Sequence, residues 1–251
     1  VGVVLRATGL TKRFKDVTAV DGIDLSVDPG ERVALLGPNG AGKTTTLLML
    51  LGAISPDGGR IEVVGHALPK GRSAAMAEVG FVAGYLPLPD RLRVREALEV
   101  FAGFYGLSRA AGEEAVVDGL LRMGITHLAG RMCGELSSGQ RTLVGIVKAA
   151  LHGPKLLVLD EPTASLDPDV AQRVRTGLLE LNATDGTALL VTSHNMLEVE
   201  RLCERVVFLA GGRKVADGSP EDVAEQFGHG DLEGVFLELA GTVRAEDEDI
   251  S

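Results

Sequence analysis

Two kinds of hydrophobic spacing alternate along the chain. Short apolar runs recur at residues 32–36, 60–64, 156–159, 188–192 and 206–209. They lack clean in-and-out alternation, which suits strands covered on both faces, as in a parallel sheet. Helical spacing separates several of these runs. Residues 44–51 follow the first run and stop at Gly52. Asp167 stands at an N-cap position with Pro168 next to it, opening a helix over 169–181. Ser219-Pro220-Glu221-Asp222 repeats that start for a helix through Phe227, with Asp222 placed to close a capping box. Alternation of this kind predicts an α/β fold.

Between about residues 85 and 151 the strand signals vanish and helical patterns at 94–105 and 113–123 take over. This segment reads as an inserted helical lobe. Residues 206–209, Ala210-Gly211-Gly212 and 213–216 read as a late hairpin. Near the end, Leu232, Val235, Phe236 and Leu239 fall at i, i+3, i+4 and i+7, one apolar face of a packing helix. The run Glu246-Asp247-Glu248-Asp249 reads as a solvated, disordered tail.

The length of 251 residues, with 45% hydrophobic and 24% charged, fits one large globular domain carrying an inserted lobe and excludes disorder throughout. Thirty-five acidic against 25 basic residues give a net charge of -10, which argues against a duplex-binding surface, and no nucleic-acid partner is expected. Cys133 and Cys203 stand apart from any CxxC pair, so neither a disulfide framework nor a zinc ribbon is expected, and a reducing compartment is. No apolar run approaches the roughly 20 residues of a membrane span. Residues 1–11 lack the apolar block of a secretory signal, so the expected location is cytoplasmic.

Three motifs carry chemistry. Gly37-Pro38-Asn39-Gly40-Ala41-Gly42-Lys43-Thr44 matches GxxxxGK[ST] and lies between a strand and a helix, with Thr45 beside it. Glycines there let successive backbone N–H groups face phosphate oxygens. Lys43 then neutralises the β- and γ-phosphates, and the Thr44 hydroxyl suits Mg²⁺. The apolar run 156–159 delivers Asp160 and Glu161 at its C-terminal edge, where ligand chemistry gathers in open α/β sheets. Asp160 suits a water-mediated Mg²⁺ contact and Glu161 proton acceptance from an attacking water. Between these two motifs stands Leu136-Ser137-Ser138-Gly139-Gln140.

With that pentapeptide the chain resembles the ATP-binding subunits of ABC transporters, whose signature is LSGGQ. The resemblance extends from about Leu5 to Gly241. It implies a RecA-like P-loop ATPase core with a mainly parallel sheet, an antiparallel β portion and an inserted helical subdomain. The expected division is a first core part at 1–83, a helical subdomain at 84–152, a second core part at 153–230, and a C-terminal helix with acidic tail at 231–251. In this family two nucleotide domains pack head to tail, so Ser137, Ser138, Gly139 and Gln140 would serve the nucleotide held by the other subunit. Ser138 replaces the usual first glycine. Ser165-Leu166-Asp167 is similar to the D-loop, which lies across that seam, and His194 is similar to the switch histidine. Phe14, with help from Val20, matches the aromatic that stacks on adenine. His66, His127, His152 and His229 have no such context and read as surface or packing residues.

One position departs from the family. Gly84 falls where the Q-loop glutamine belongs, and no Gln occurs between Ser55 and Gly139. The run NMLEVERLCERV at 195–206 narrows the resemblance to bacterial multidrug and polysaccharide exporter ATPases. The expectation is therefore an ATP- and Mg²⁺-dependent ATPase at the cytoplasmic face of the membrane. It would dimerise with a second nucleotide-binding domain and dock through residues near 85–95 on a separate transmembrane permease. The rival is a soluble ABC ATPase with no membrane partner, such as one of iron-sulfur assembly.

Overall fold

The computed structural model describes residues 2–83, 88–164 and 166–248, and the side chains through Gly241. The first two strands, β1 (Leu5–Phe14) and β2 (Val17–Val27), form an antiparallel hairpin that the apolar runs do not announce. Leu5 and Ala7 are buried while Arg6 and Thr8 are not. The pairing then slips between Ala7 and Leu10, where Gly9 has φ +60. A period-2 signal broken by such a slip is too short to read from sequence. Next come β3 (Arg32–Leu36), α1 (Lys43–Leu50), β4 (Gly58–Val63), β5 (His66–Ala67) and α2 (Arg72–Met76). β4 pairs antiparallel with β1 and with β5, completing a four-stranded sheet in the order β2-β1-β4-β5.

After β6 (Val79–Ala83) come α3 (Val94–Phe104), α4 (Arg109–Arg122) and α5 (Ser138–Ala150), then β7 (Leu156–Asp160) and α6 (Pro168–Asp185). The chain ends with β8 (Ala188–Thr192), α7 (Met196–Leu202), β9 (Arg205–Ala210), β10 (Arg213–Gly218), α8 (Pro220–Gln226) and α9 (Leu232–Glu248). A six-stranded sheet has the order β10-β9-β3-β8-β7-β6. β3 runs parallel to β9 and β6 to β7, whereas β9 and β10 form the expected antiparallel hairpin. The fold is thus a mixed α/β architecture with a parallel core and an antiparallel portion.

The chain divides into two compact units, Val1–Met76 with Leu190–Ser251, and Ala77–Leu189. In the first unit, Val33 to Leu36 and Val206 to Leu209 are fully buried, so the β3–β9 pair carries the core. The second unit holds the helical segment together with β6, β7 and α6. Its α5 is buried on most of its length, and Arg122 of α4 ties to Asp118 and to Asp185 at the end of α6. Cys133 and Cys203 are buried free thiols, and burial pushes the Cys203 thiol up to about 12. No helix among the described residues is long and apolar enough to cross a membrane.

Several element ends differ from expectation, three of them by more than two residues. α4 begins at Arg109 rather than 113, because the Ser108 hydroxyl accepts from the Ala111 N–H and caps it. α6 runs on to Asp185, and Gly186 stops it in the left-handed region at φ +67. α9 continues through Glu246, Asp247 and Glu248, so the acidic run expected as a tail is helical that far. Glutamate and alanine favour a helix already begun, which acidity alone does not reveal.

Candidate functional site

The chain leaves β3 at Leu36 and turns through Gly37, Pro38, Asn39, Gly40, Ala41 and Gly42 into α1. Gly37 has φ +143 and Gly42 φ +96. A Cβ on Gly37 would lie 2.1 Å from the Leu209 carbonyl oxygen, and one on Gly42 2.4 Å from that of Ala19. Only glycine can bring the loop this close to two backbones. The tip, Asn39 and Gly40, is exposed, while Pro38 and Ala41 are buried. The Lys43 ammonium reaches back over the loop and donates to the carbonyls of Gly37 at 2.6 Å and Pro38 at 3.0 Å. No side chain caps α1 at Gly42, so its first-turn N–H groups have the arrangement that receives anions. Thr44 is exposed and Thr45 half-buried.

The two expected adenine contacts are placed differently. Phe14, at the end of β1, is 48% exposed, its ring 5.5 Å from the Lys12 ammonium. Val20 is wholly buried, and its Cγ2 packs against the Gly42 position from below. Any contribution from Val20 therefore passes through the loop backbone it supports. His194 follows Thr192 and Ser193, which are buried, and is itself exposed. Asn195 caps α7, its side chain accepting from the Glu198 N–H at 3.1 Å. The His194 ring meets Phe236 of α9 edge to face, 6.1 Å between centroids at 75°.

In the second unit β7 carries four buried residues and delivers the half-buried Asp160, paired with Ala83 of β6. Glu161 follows at φ +54, a left-handed backbone that few non-glycine residues adopt. The chain reverses there, with the Ala164 N–H donating to the Glu161 carbonyl at 3.2 Å, and Glu161 Oε1 is shielded from solvent. Adjacent carboxylates thus have different surroundings.

Ser137 is the N-cap of α5. Its hydroxyl accepts from the Gln140 N–H at 3.3 Å, and the Gln140 side-chain oxygen accepts from the Ser137 N–H at 3.1 Å. This capping box explains why Ser and Gln stand three apart here. Ser138 is exposed on the first turn. A Cβ on Gly139 would come 2.9 Å from Val170 Cγ1 on α6, so this glycine also allows two helices to approach. Asp167 is exposed and forms the backbone N-cap of α6 without a side-chain cap bond. Gly84, the Q-loop position, and Ser165 of the D-loop lie outside the described residues.

Three contacts escape sequence reasoning: Leu209 and Ala19 behind the phosphate loop, Val170 behind Gly139, and Phe236 against His194. All join residues distant in sequence. Only the apolar face of α9 gave any sign, and that sign read as packing.

Residues 20–164 match the family described as ABC transporter. A Nod factor export ATP-binding protein I of Burkholderia pseudomallei is 42% identical over 215 residues, covering 85% of this chain and 70% of that protein. The solved structure of an ATP-binding subunit of an ABC transporter superposes with a TM-score of 0.85 at 31% identity, covering 94% of this chain and 99% of the other. An ATP-binding cassette of an ABC transporter in its ADP conformation gives 0.78 at 28% identity over 90% of this chain and 94% of that one. With a phosphate loop, a strand-end carboxylate pair and a capped signature helix in those positions, the chain belongs to the ABC transporter family and is one of its ATP-hydrolysing, nucleotide-binding subunits.

Proposed function

We propose that this subunit hydrolyses Mg-ATP held on the loop at 37–44 and drives an exporter through a separate membrane permease. The observation that carries the reading is the Lys43 ammonium fixed over a glycine loop that backbone on two sides keeps in shape. Export is supported by the relatives, which are named as export ATP-binding proteins. Peripheral attachment to the cytoplasmic face, through residues near 85–95, of which 85–87 lie outside the described residues, is what the same resemblance suggests.

The donors fit magnesium. Taken one by one, the Thr44 hydroxyl of the first unit and the Asp160 carboxylate of the second are each hard oxygen ligands of the kind this ion takes. A site with one or two protein oxygens, completed by phosphates and water, is what Mg²⁺ prefers. When bound, the ion neutralises charge developing on the transferred phosphoryl group.

The remaining work falls to side chains. First-turn N–H groups of α1 and the Lys43 ammonium hold the β- and γ-phosphates. Phe14 offers a ring face to the base. Glu161 accepts the proton of the attacking water, and His194 bonds the γ-phosphate and registers its loss. Ser137 and the Gly139 N–H, at the start of α5, bind the γ-phosphate held by a second copy or a homologous subunit.

Glu161→Gln tests the scheme. Turnover should fall at least about 10²-fold while nucleotide binding persists and dimers accumulate with ATP, the usual cost of losing a general base. Lys43→Ala should weaken nucleotide binding itself. Wild-type turnover in Glu161→Gln overturns the base assignment.

A further inference from the structure

The C-terminal helix is latched to the segment that carries His194. Leu232 and Val235 of α9 are fully buried, and Phe236 and Leu239 on the same face are half-buried, while Leu237 is 64% exposed. The first turn is fixed from α7, since the Glu200 carboxylate accepts the Leu232 N–H at 3.0 Å. Asp231 caps the same turn by accepting the Gly234 N–H at 2.9 Å. His229 and Glu238 close the approach from α8 with a 2.7 Å contact. From this fixed helix the Phe236 ring stands edge to face against the exposed His194 imidazole.

An exposed imidazole can turn about its last side-chain bond, and that torsion has a broad profile. A catalytic hydrogen bond needs one ring nitrogen held in one direction. An aromatic neighbour at 6.1 Å and 75° restricts that rotation.

We infer that Phe236 is a positioning residue for His194, so that α9 sets the hydrolysis rate by holding the imidazole in its working orientation. This rests on the reading of His194 as the side chain that bonds the γ-phosphate. Phe236 itself touches neither nucleotide nor water in this scheme. The step it influences is therefore turnover and not binding.

The test uses the purified full chain and steady-state ATPase kinetics. Phe236→Leu keeps apolar bulk on α9 and removes the ring. It should lower kcat about two- to tenfold, the rate equivalent of one aromatic pair, with KM for ATP within about twofold and little change in melting temperature. Phe236→Tyr keeps the ring and should restore kcat. Placed in a His194→Gln background, Phe236→Leu should cause no further loss. A wild-type kcat in Phe236→Leu, a loss that Tyr does not rescue, or a further loss in the His194→Gln background overturns the inference. A His194→Gln variant with wild-type kcat overturns the role of His194 instead. If His194→Gln is slow and Phe236→Leu is not, the positioning role alone fails.

Discussion

Gly139 shows how one residue can answer to two demands. In the proposed scheme its N–H serves a phosphate, while its missing Cβ admits Val170 of α6. Gly139→Ala should therefore lose stability as well as turnover. A Cβ 2.9 Å from a β-branched side chain forces a shift costing about 1–3 kcal/mol. Val170→Ala opens that space, so the double variant should regain the wild-type melting temperature. Activity still missing from it measures the signature function, and a double variant as unstable as Gly139→Ala refutes the packing account. Lys43, Thr44, Asp160, Glu161 and Ser137 could be proposed from sequence because phosphate, metal and helix-cap chemistry tolerate few residue types at fixed spacing. Val170 and Phe236 were not, since any side chain of suitable shape could have filled their places from elsewhere in the chain.

α3 and α5 meet through one side-chain pair, and the residues just past their C-terminal ends through a second. The Lys148 ammonium lies 4.9 Å from the Phe101 ring centroid, and one helical turn on His152 stacks on Tyr105 at 4.1 Å and 22°. Burial holds the His152 imidazole below its ordinary value of 6.5. The unfolded chain takes up that proton near 6.5, and the folded chain only at lower pH. Stability is thus full above 6.5 and declines as pH falls from there to the depressed folded value. Thermal unfolding at pH 7.5 and 5.5 should show a larger drop for the wild type than for His152→Gln. Equal drops would remove His152 from the account. The expectation for His152 left surface and packing both open; it is half-buried, and the pairing needed the partner segment. Among elements, β3 and β8 were read to the residue because continuous apolar runs mark buried strands. β1 and β2 were hidden by polar alternation and a register slip at Gly9.

For the whole molecule, the α/β class and the helical insertion were visible in the changing hydrophobic period, and the family in three motifs whose order and spacing few folds share. What no single chain displays is the pairing through which its signature is proposed to act. If each phosphate loop is completed by the signature of another copy, two inactive variants should rescue each other. Lys43→Ala loses its own nucleotide but keeps its signature. Ser138→Glu places a carboxylate on the exposed first turn of α5, repelling a phosphate across the seam, at no packing cost and with favourable sign for the helix dipole. Each alone should be nearly inactive, and the Glu variant should still bind ATP. Mixed in equal amounts with ATP, half of randomly formed dimers are mixed, and in each of those one site combines an intact loop with an intact signature. Turnover should then recover to about a quarter of the wild-type rate, as two-fold symmetry with shared sites requires. It should vanish again on dilution, because dimerisation depends on protein concentration. A mixture no more active than its parts would show that each subunit completes its own site.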